Sequence, residues 1–197
     1  MNIKDLREFG VNEGYPILKD ESIIRLIAEI KKVNPKNILE IGTAIGYSGT
    51  QMLLNSDAFL DTIEYNEHSA NIARQNFETM GLTSRVNIFV GDAGVVLDEL
   101  VGKNKQYDFI FLDGPKGQYV KYLERLIGLL REDGVLIADN VLFRGYVRGD
   151  IVPKRFKTLV KRLREFLDRV TSDTRLQTEV LDIGDGLSIS KKITRED

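Results

Sequence analysis

Five short apolar runs recur between residues 37 and 140, each closing at or beside an acidic side chain, with segments of helical spacing between them. They are NILEI with Glu40, FLDTIEY ending about Glu64, VNIFV before Asp92, YDFIFL before Asp113, and GVLIA before Asp139 and Asn140. The spacing predicts helices over 20–33, 48–54, 67–80, 95–101 and 121–130. Strands that alternate with helices and are apolar throughout argue a parallel sheet covered on both faces, an α/β fold. Two alternating runs close the chain, LQTEVLDI and LSISKKI, joined by Gly184-Asp185-Gly186. They predict an antiparallel addition at the sheet edge. Without a repeat or a Pro/Gly-rich linker, residues 1–197 read as a single domain.

Open sheets of this kind bind ligands at the carboxyl ends of their strands. A carboxylate at the end of a buried strand costs several kcal/mol unless it is paired or metal-bound. The five acidic strand ends therefore point to a site. In EIGTAIGYS (Glu40–Ser48), Gly42 and Gly46 permit a tight turn and a close approach to a ligand, although the G-x-G-x-x-G fingerprint is absent. A plain structural turn is the competing reading. Glu64, closing the second run, suits the ribose hydroxyls of an adenosine, which leaves both NAD and S-adenosylmethionine (SAM) open. Glu40 would repel a pyrophosphate, which favours the cationic SAM, and Asp92 is placed to take an adenine amino group.

Asp113 and Asp139 follow strands expected to be neighbours. Two carboxylates about 4 Å apart repel by roughly 4 kcal/mol at an effective dielectric of 20. Such a pair must hold a proton, recruit a cation or use Lys116. With Asn140 it offers hard oxygen ligands suited to Mg2+ or another divalent cation. The plainer reading is that Asp113 caps a turn and Asp139-Asn140 makes an Asx-turn.

From GYPILKDES (Gly14–Ser22) through LEIGTAIGYS, DGPKGQY and ADNV to GDGLSISKK, the chain resembles the magnesium- and SAM-dependent O-methyltransferases of the catechol and caffeoyl-coenzyme A type. Within them it is most similar to the bacterial tRNA 5-hydroxyuridine methyltransferases. The resemblance implies a Rossmann-like SAM-dependent methyltransferase fold with a seven-stranded, mostly parallel sheet and an antiparallel C-terminal hairpin. It implies metal binding by Asp113, Asp139 and Asn140, with Lys116 as base or positioning residue beside a catalytic Asp113. Cofactor contacts would come from Leu18, Glu40, Gly42, Thr43, Tyr47, Ser48, Glu64, Asp92, Ala93 and Asp113. The implied reaction is methylation of 5-hydroxyuridine at the tRNA wobble position, or else of a small catechol or a caffeoyl-coenzyme A-like acceptor. A homodimer is expected on the same ground. Gly114-Pro115 departs from the alanine pair frequent in that family, which predicts a change in loop rigidity without loss of chemistry.

Composition enters mainly through exclusions. Zero Cys rules out disulfides, thiolate zinc sites and Cys nucleophiles and fits a reducing cytoplasm. No apolar window approaches the length of a membrane span, and MNIKDLREFG has no signal-peptide core. The net charge is -2, yet 144–164 carries eight Lys/Arg against Asp150 alone. This is either a solvated helix face or a phosphate-contacting surface, with Arg144 and Arg148 flanking the site as substrate-binding residues for the tRNA anticodon region. A rival class, an NAD-linked oxidoreductase or a bare nucleotide-binding module, lacks a hydride-transfer arrangement in the first case and a need for the acidic pair in the second.

Overall fold

The computed structural model describes residues 2–193. The elements in chain order are α1 (Ile3–Asn12), α2 (Asp20–Val33), β1 (Asn37–Ile41), α3 (Tyr47–Leu54), β2 (Phe59–Glu64), α4 (Glu67–Thr79) and β3 (Val86–Val90). They continue with α5 (Ala93–Gly102), β4 (Tyr107–Leu112), α6 (Tyr119–Leu129), β5 (Leu130–Asp139), α7 (Lys157–Ser172), β6 (Leu176–Leu181) and β7 (Leu187–Lys192). The strands form one seven-stranded sheet in the order β3-β2-β1-β4-β5-β7-β6. β1 to β5 pair in parallel, whereas β7 runs antiparallel to both β5 and β6. This is the Rossmann-like methyltransferase fold, with the chain reversing between β1 and β4, where such sheets open a crevice.

Side-chain alternation along the central strands divides the core in two. Phe109, Phe111, Val135 and Ile137 pack toward α1–α4, and Ile110, Leu112, Leu136 and Ala138 toward α5–α7. On β1, Ile38 faces the first layer and Leu39 and Ile41 the second, and Glu40 takes the position on the α3 side that alternation would assign to an apolar residue. Burying both faces explains why these runs lack a polar stripe.

Two local readings needed tertiary information. α1 was not expected, although its signal is present. Asn2 Oδ1 accepts from Lys4 N and Asp5 N while Asp5 Oδ2 accepts from Asn2 N, a reciprocal cap that starts a ten-residue helix. The predicted 121–130 helix ends at Leu129, and β5 begins at Leu130, four residues before the expected strand. Between the pairs Tyr107–Leu130 and Phe109–Val135 the register shifts, with Asp133 at φ 61°, so Asp133-Gly134 forms a bulge inside one strand. Among the described residues no helix is long and apolar enough to cross a membrane.

Candidate active site

The carboxyl ends of β1, β2, β4 and β5 open on a cavity of about 570 Å³, within the range of small-molecule sites. Its floor is the β1–α3 turn. Gly42 adopts φ 104°, and a Cβ there would lie 2.3 Å from the Asp113 carbonyl oxygen, so the two loops meet backbone to backbone. Gly114 is similarly tight, since a Cβ would sit 2.9 Å from Ile41 Cγ2. Gly42 N and Thr43 N donate to the Ile63 carbonyl at 3.0 and 3.2 Å, tying the turn to β2.

Glu64 fixes the same turn from the side. Its Oε2 accepts from Ala44 N and its Oε1 from Asn66 N, both at 2.8 Å, which sets the carboxylate plane at the cavity wall. Asp92 Oδ1 caps α5 by accepting from Gly94 N and Val95 N, and the same residue lines the cavity with Ala93. Leu18, Gly42, Thr43, Tyr47 and Ser48 also line it. Glu40 does not. It is fully buried, with Oε1 accepting from Ser48 Oγ at 2.5 Å and Oε2 from Thr62 Oγ1 at 2.7 Å. Thr62 Oγ1 lies 2.6 Å from Thr43 Oγ1. Burial pushes the Glu40 carboxyl up to about 7 against the pull of its two hydroxyl partners. Glu40 therefore reaches the cavity only through Ser48 and Thr43.

The other half of the cavity gathers Asp113, Lys116, Asp139 and Asn140. β4 and β5 are hydrogen-bonded neighbours, and the buried Tyr119 hydroxyl lies 3.2 Å from the Leu112 and Asp139 carbonyl oxygens, pinning the two strand ends together. Tyr119 is thus a core residue beneath the site. Lys116 Nζ is 3.5 Å from Asp113 Oδ1. Burial raises the Asp113 carboxyl and Lys116 opposes the rise. Asp139 is 2% exposed, and burial followed by the Asp113 charge pushes it up to about 7. Among the described residues its Oδ1 has no hydrogen-bond partner. Cavity-lining residues that the sequence reading missed include Lys19, Tyr65, Tyr122 and Asp185. Tyr65 directly follows Glu64, which was a usable signal. Asp185 lies in a turn read only as a hairpin connection.

Arg144 and Arg148 do not line this cavity. Arg148 is bound to the Asp182 carboxylate. The Arg144 guanidinium lies 5.8 Å from the Phe143 and Phe156 ring centroids, and Arg155 is 4.6 Å from the latter. Arg164 donates to the Tyr146, Val147 and Gly149 carbonyls, and Arg162 to that of Gly117. Arg162 and Arg164 thus hold loop backbone and Arg148 a carboxylate, which weakens the case for a phosphate-binding surface.

The O-methyltransferase family profile matches residues 1–193. Tapetum-specific methyltransferase 1 of Arabidopsis thaliana is 30% identical over 97% of this chain and 86% of its own length. Caffeoyl-CoA O-methyltransferase 1 of the same plant is 32% identical, over 98% and 78%. Among solved structures, a candidate caffeoyl-CoA O-methyltransferase from Staphylococcus aureus superposes with a TM-score of 0.89 at 35% identity, covering 98% of this chain and 92% of that one. The O-methyltransferase of Bacillus cereus in complex with S-adenosylhomocysteine (SAH) gives 0.86 at 26%, covering 96% and 90%.

These findings correct two expectations. The tRNA anticodon region as substrate, and tRNA processing with it, are overturned, because the relatives whose names give an acceptor are caffeoyl-CoA O-methyltransferases. A metal-binding cluster formed by the protein alone is also overturned. Among the described residues no group of three or more His, Cys, Asp or Glu side chains gathers to hold an ion. What converges is two carboxylates and one amide, too few protein oxygens for a self-sufficient centre.

Proposed function

The chain belongs to the O-methyltransferase family and is a SAM-dependent enzyme of the caffeoyl-CoA and catechol type, and on that premise we propose that it methylates one hydroxyl of a small aromatic vicinal diol, free or carried as a coenzyme A thioester. The observation that carries this reading is the continuity of one cavity from Glu64 to the Asp113–Asp139 pair. Such a cavity holds a nucleoside at one end and a pair of hard oxygens at the other. In the proposal Glu64 receives the ribose hydroxyls. Ser48 and the 42–47 turn take the methionine portion, and Asp92 and Ala93 border the adenine.

Dependence on Mg2+ is part of the proposal, as a site completed by acceptor and water oxygens. The buried Asp139 Oδ1, without a partner among the described residues and beside a second raised carboxylate, fits a hard cation. Asp113, Asp139 and the Asn140 side-chain oxygen would hold it. When bound, the ion supplies Lewis acidity that eases ionisation of an acceptor hydroxyl. Lys116, against Asp113 at the cavity wall, serves as base or as the positive charge facing the developing oxyanion. Tyr119 keeps the two carboxylates at adjacent strand ends, and the Gly42–Asp113 contact keeps the cofactor turn against them. Rate then comes chiefly from holding oxygen and methyl in line. Action in the cytoplasm, within one domain of 197 residues, completes the proposal.

The test is a SAM turnover assay on catechol and on caffeoyl-CoA, with Mg2+ and with chelator. Methylation of either diol, lost on chelation, is the expected result. Full turnover in chelator removes the metal from the proposal, and no turnover on either diol removes the acceptor class.

A further inference from the structure

The chain leaves β5 through a backbone that side chains avoid. Asn140, Phe143 and Arg144 adopt φ of 57°, 36° and 56°, and Asn140 borders the cavity. Non-glycine residues persist in that region when their surroundings over-determine them. The long-range part of the determination comes from one turn about 40 residues away in sequence, Gly184-Asp185-Gly186 between β6 and β7. Val141 N donates to the Gly186 carbonyl and Leu142 N to that of Asp185, both at 3.0 Å, and Arg144 N donates to Asp185 Oδ1 at 2.7 Å. The two glycines make this fit possible. A Cβ on Gly186 would lie 2.7 Å from Leu142 N, and one on Gly184 would lie 2.3 Å from Ser22 Oγ at the start of α2. On the far side, Lys19 Nζ donates to the Gly184 carbonyl at 3.2 Å, and Lys19 is itself a cavity wall.

We infer that Asp185 is a positioning residue for the acceptor half of the site. Its two oxygens, one main-chain and one carboxylate, hold the Leu142 and Arg144 amides, and Phe143 N between them donates to the Asn140 carbonyl, so the pair fixes Asn140 while the turn that carries Asp185 is seated against the Lys19 wall. The inference rests on the proposed reaction only for what Asn140 then does. The role requires an acceptor at the Asp185 side-chain position and no particular charge there.

That distinction sets the experiment, on the full chain with Asp185→Ala and Asp185→Asn. Asparagine keeps an oxygen facing Arg144 N, and alanine removes it. Hydrogen exchange over 140–149 should quicken about tenfold in Asp185→Ala, and the KM for catechol or caffeoyl-CoA should rise by a similar factor. Affinity for SAH should stay within about twofold, and Asp185→Asn should stay near wild type throughout. A general loss of packing would move SAH binding as well. Asp185→Asn matching Asp185→Ala in acceptor KM overturns the inference in favour of a charge effect, as does unchanged exchange in Asp185→Ala. Where the wild type methylates neither diol, the reaction fails alone, and the exchange comparison still decides the role of Asp185.

Discussion

The two halves of the cavity treat their carboxylates in opposite ways. On the cofactor side every acid is engaged by the protein itself: Glu64 by the Ala44 and Asn66 amides, Glu40 by Ser48 and Thr62, Asp92 by the start of α5. On the acceptor side Asp113 has Lys116 at 3.5 Å, and Asp139 keeps a buried oxygen with no partner among the described residues. Preorganised donors settle the first half in one geometry. The second half is electrostatically unfinished, which suits a place where charge must change during a reaction. A fold can be rigid where it recognises and tense where it reacts, within one cavity.

The sharpest way to break this contrast is Asp139→Ala. Turnover should fall on the order of 10³-fold while SAH affinity changes little, as measured by single-turnover kinetics and calorimetry. An equal loss in both would erase the division between halves. The same position gives a stability signature. A carboxyl raised to about 7 in the folded chain binds a proton more tightly there than when unfolded. Its stabilising contribution is therefore fully present below the unfolded value near 4 and is lost as pH rises through about 7. Asp139→Asn removes that loss, so without added metal it should outlast wild type at pH 8, by on the order of 3 kcal/mol, and match it near pH 4 in denaturant titrations.

Glu64→Ala probes the finished half. It removes a ribose acceptor and frees two loop amides, so SAM affinity should weaken about 30-fold with a smaller change in kcat. A kcat effect larger than the affinity effect would count against the assignment. Tyr119→Phe loosens the join between β4 and β5, with a turnover loss of roughly five- to tenfold and about 1 kcal/mol of stability. The smallest effect is expected from Arg148→Ala. Its exposed pair with Asp182 is worth about 0.2–1 kcal/mol, so acceptor KM should stay within about threefold. A tenfold rise would restore Arg148 to the substrate site.

The cofactor half could be proposed from the sequence because its candidate residues stand at strand ends and turns. Glycines 42 and 46 mark the first turn and Asp92 caps α5 from the position before it, while the acid closing β2 holds Ala44 from 20 residues away. Glu40 shows the limit of that reading. Its place in LEIG marks the loop, yet its oxygens are consumed by Ser48 and by Thr62, which is 22 residues away. The basic segment stayed open to two readings for a related reason, since charge can be counted along a chain while its partners cannot. Arg148 finds Asp182 and Arg164 finds three carbonyls only after folding.

The sequence by itself determined the alternation of strand and helix, the antiparallel close and the placement of acids at strand ends, because periodicity and turn chemistry are encoded within windows of a dozen residues. Only the tertiary structure decided which acids are satisfied, which arginines are spent on backbone, and that the β6–β7 turn holds the loop carrying Asn140. Those outcomes depend on desolvation and on partners brought from across the sheet, and both exist only once the chain has closed on itself.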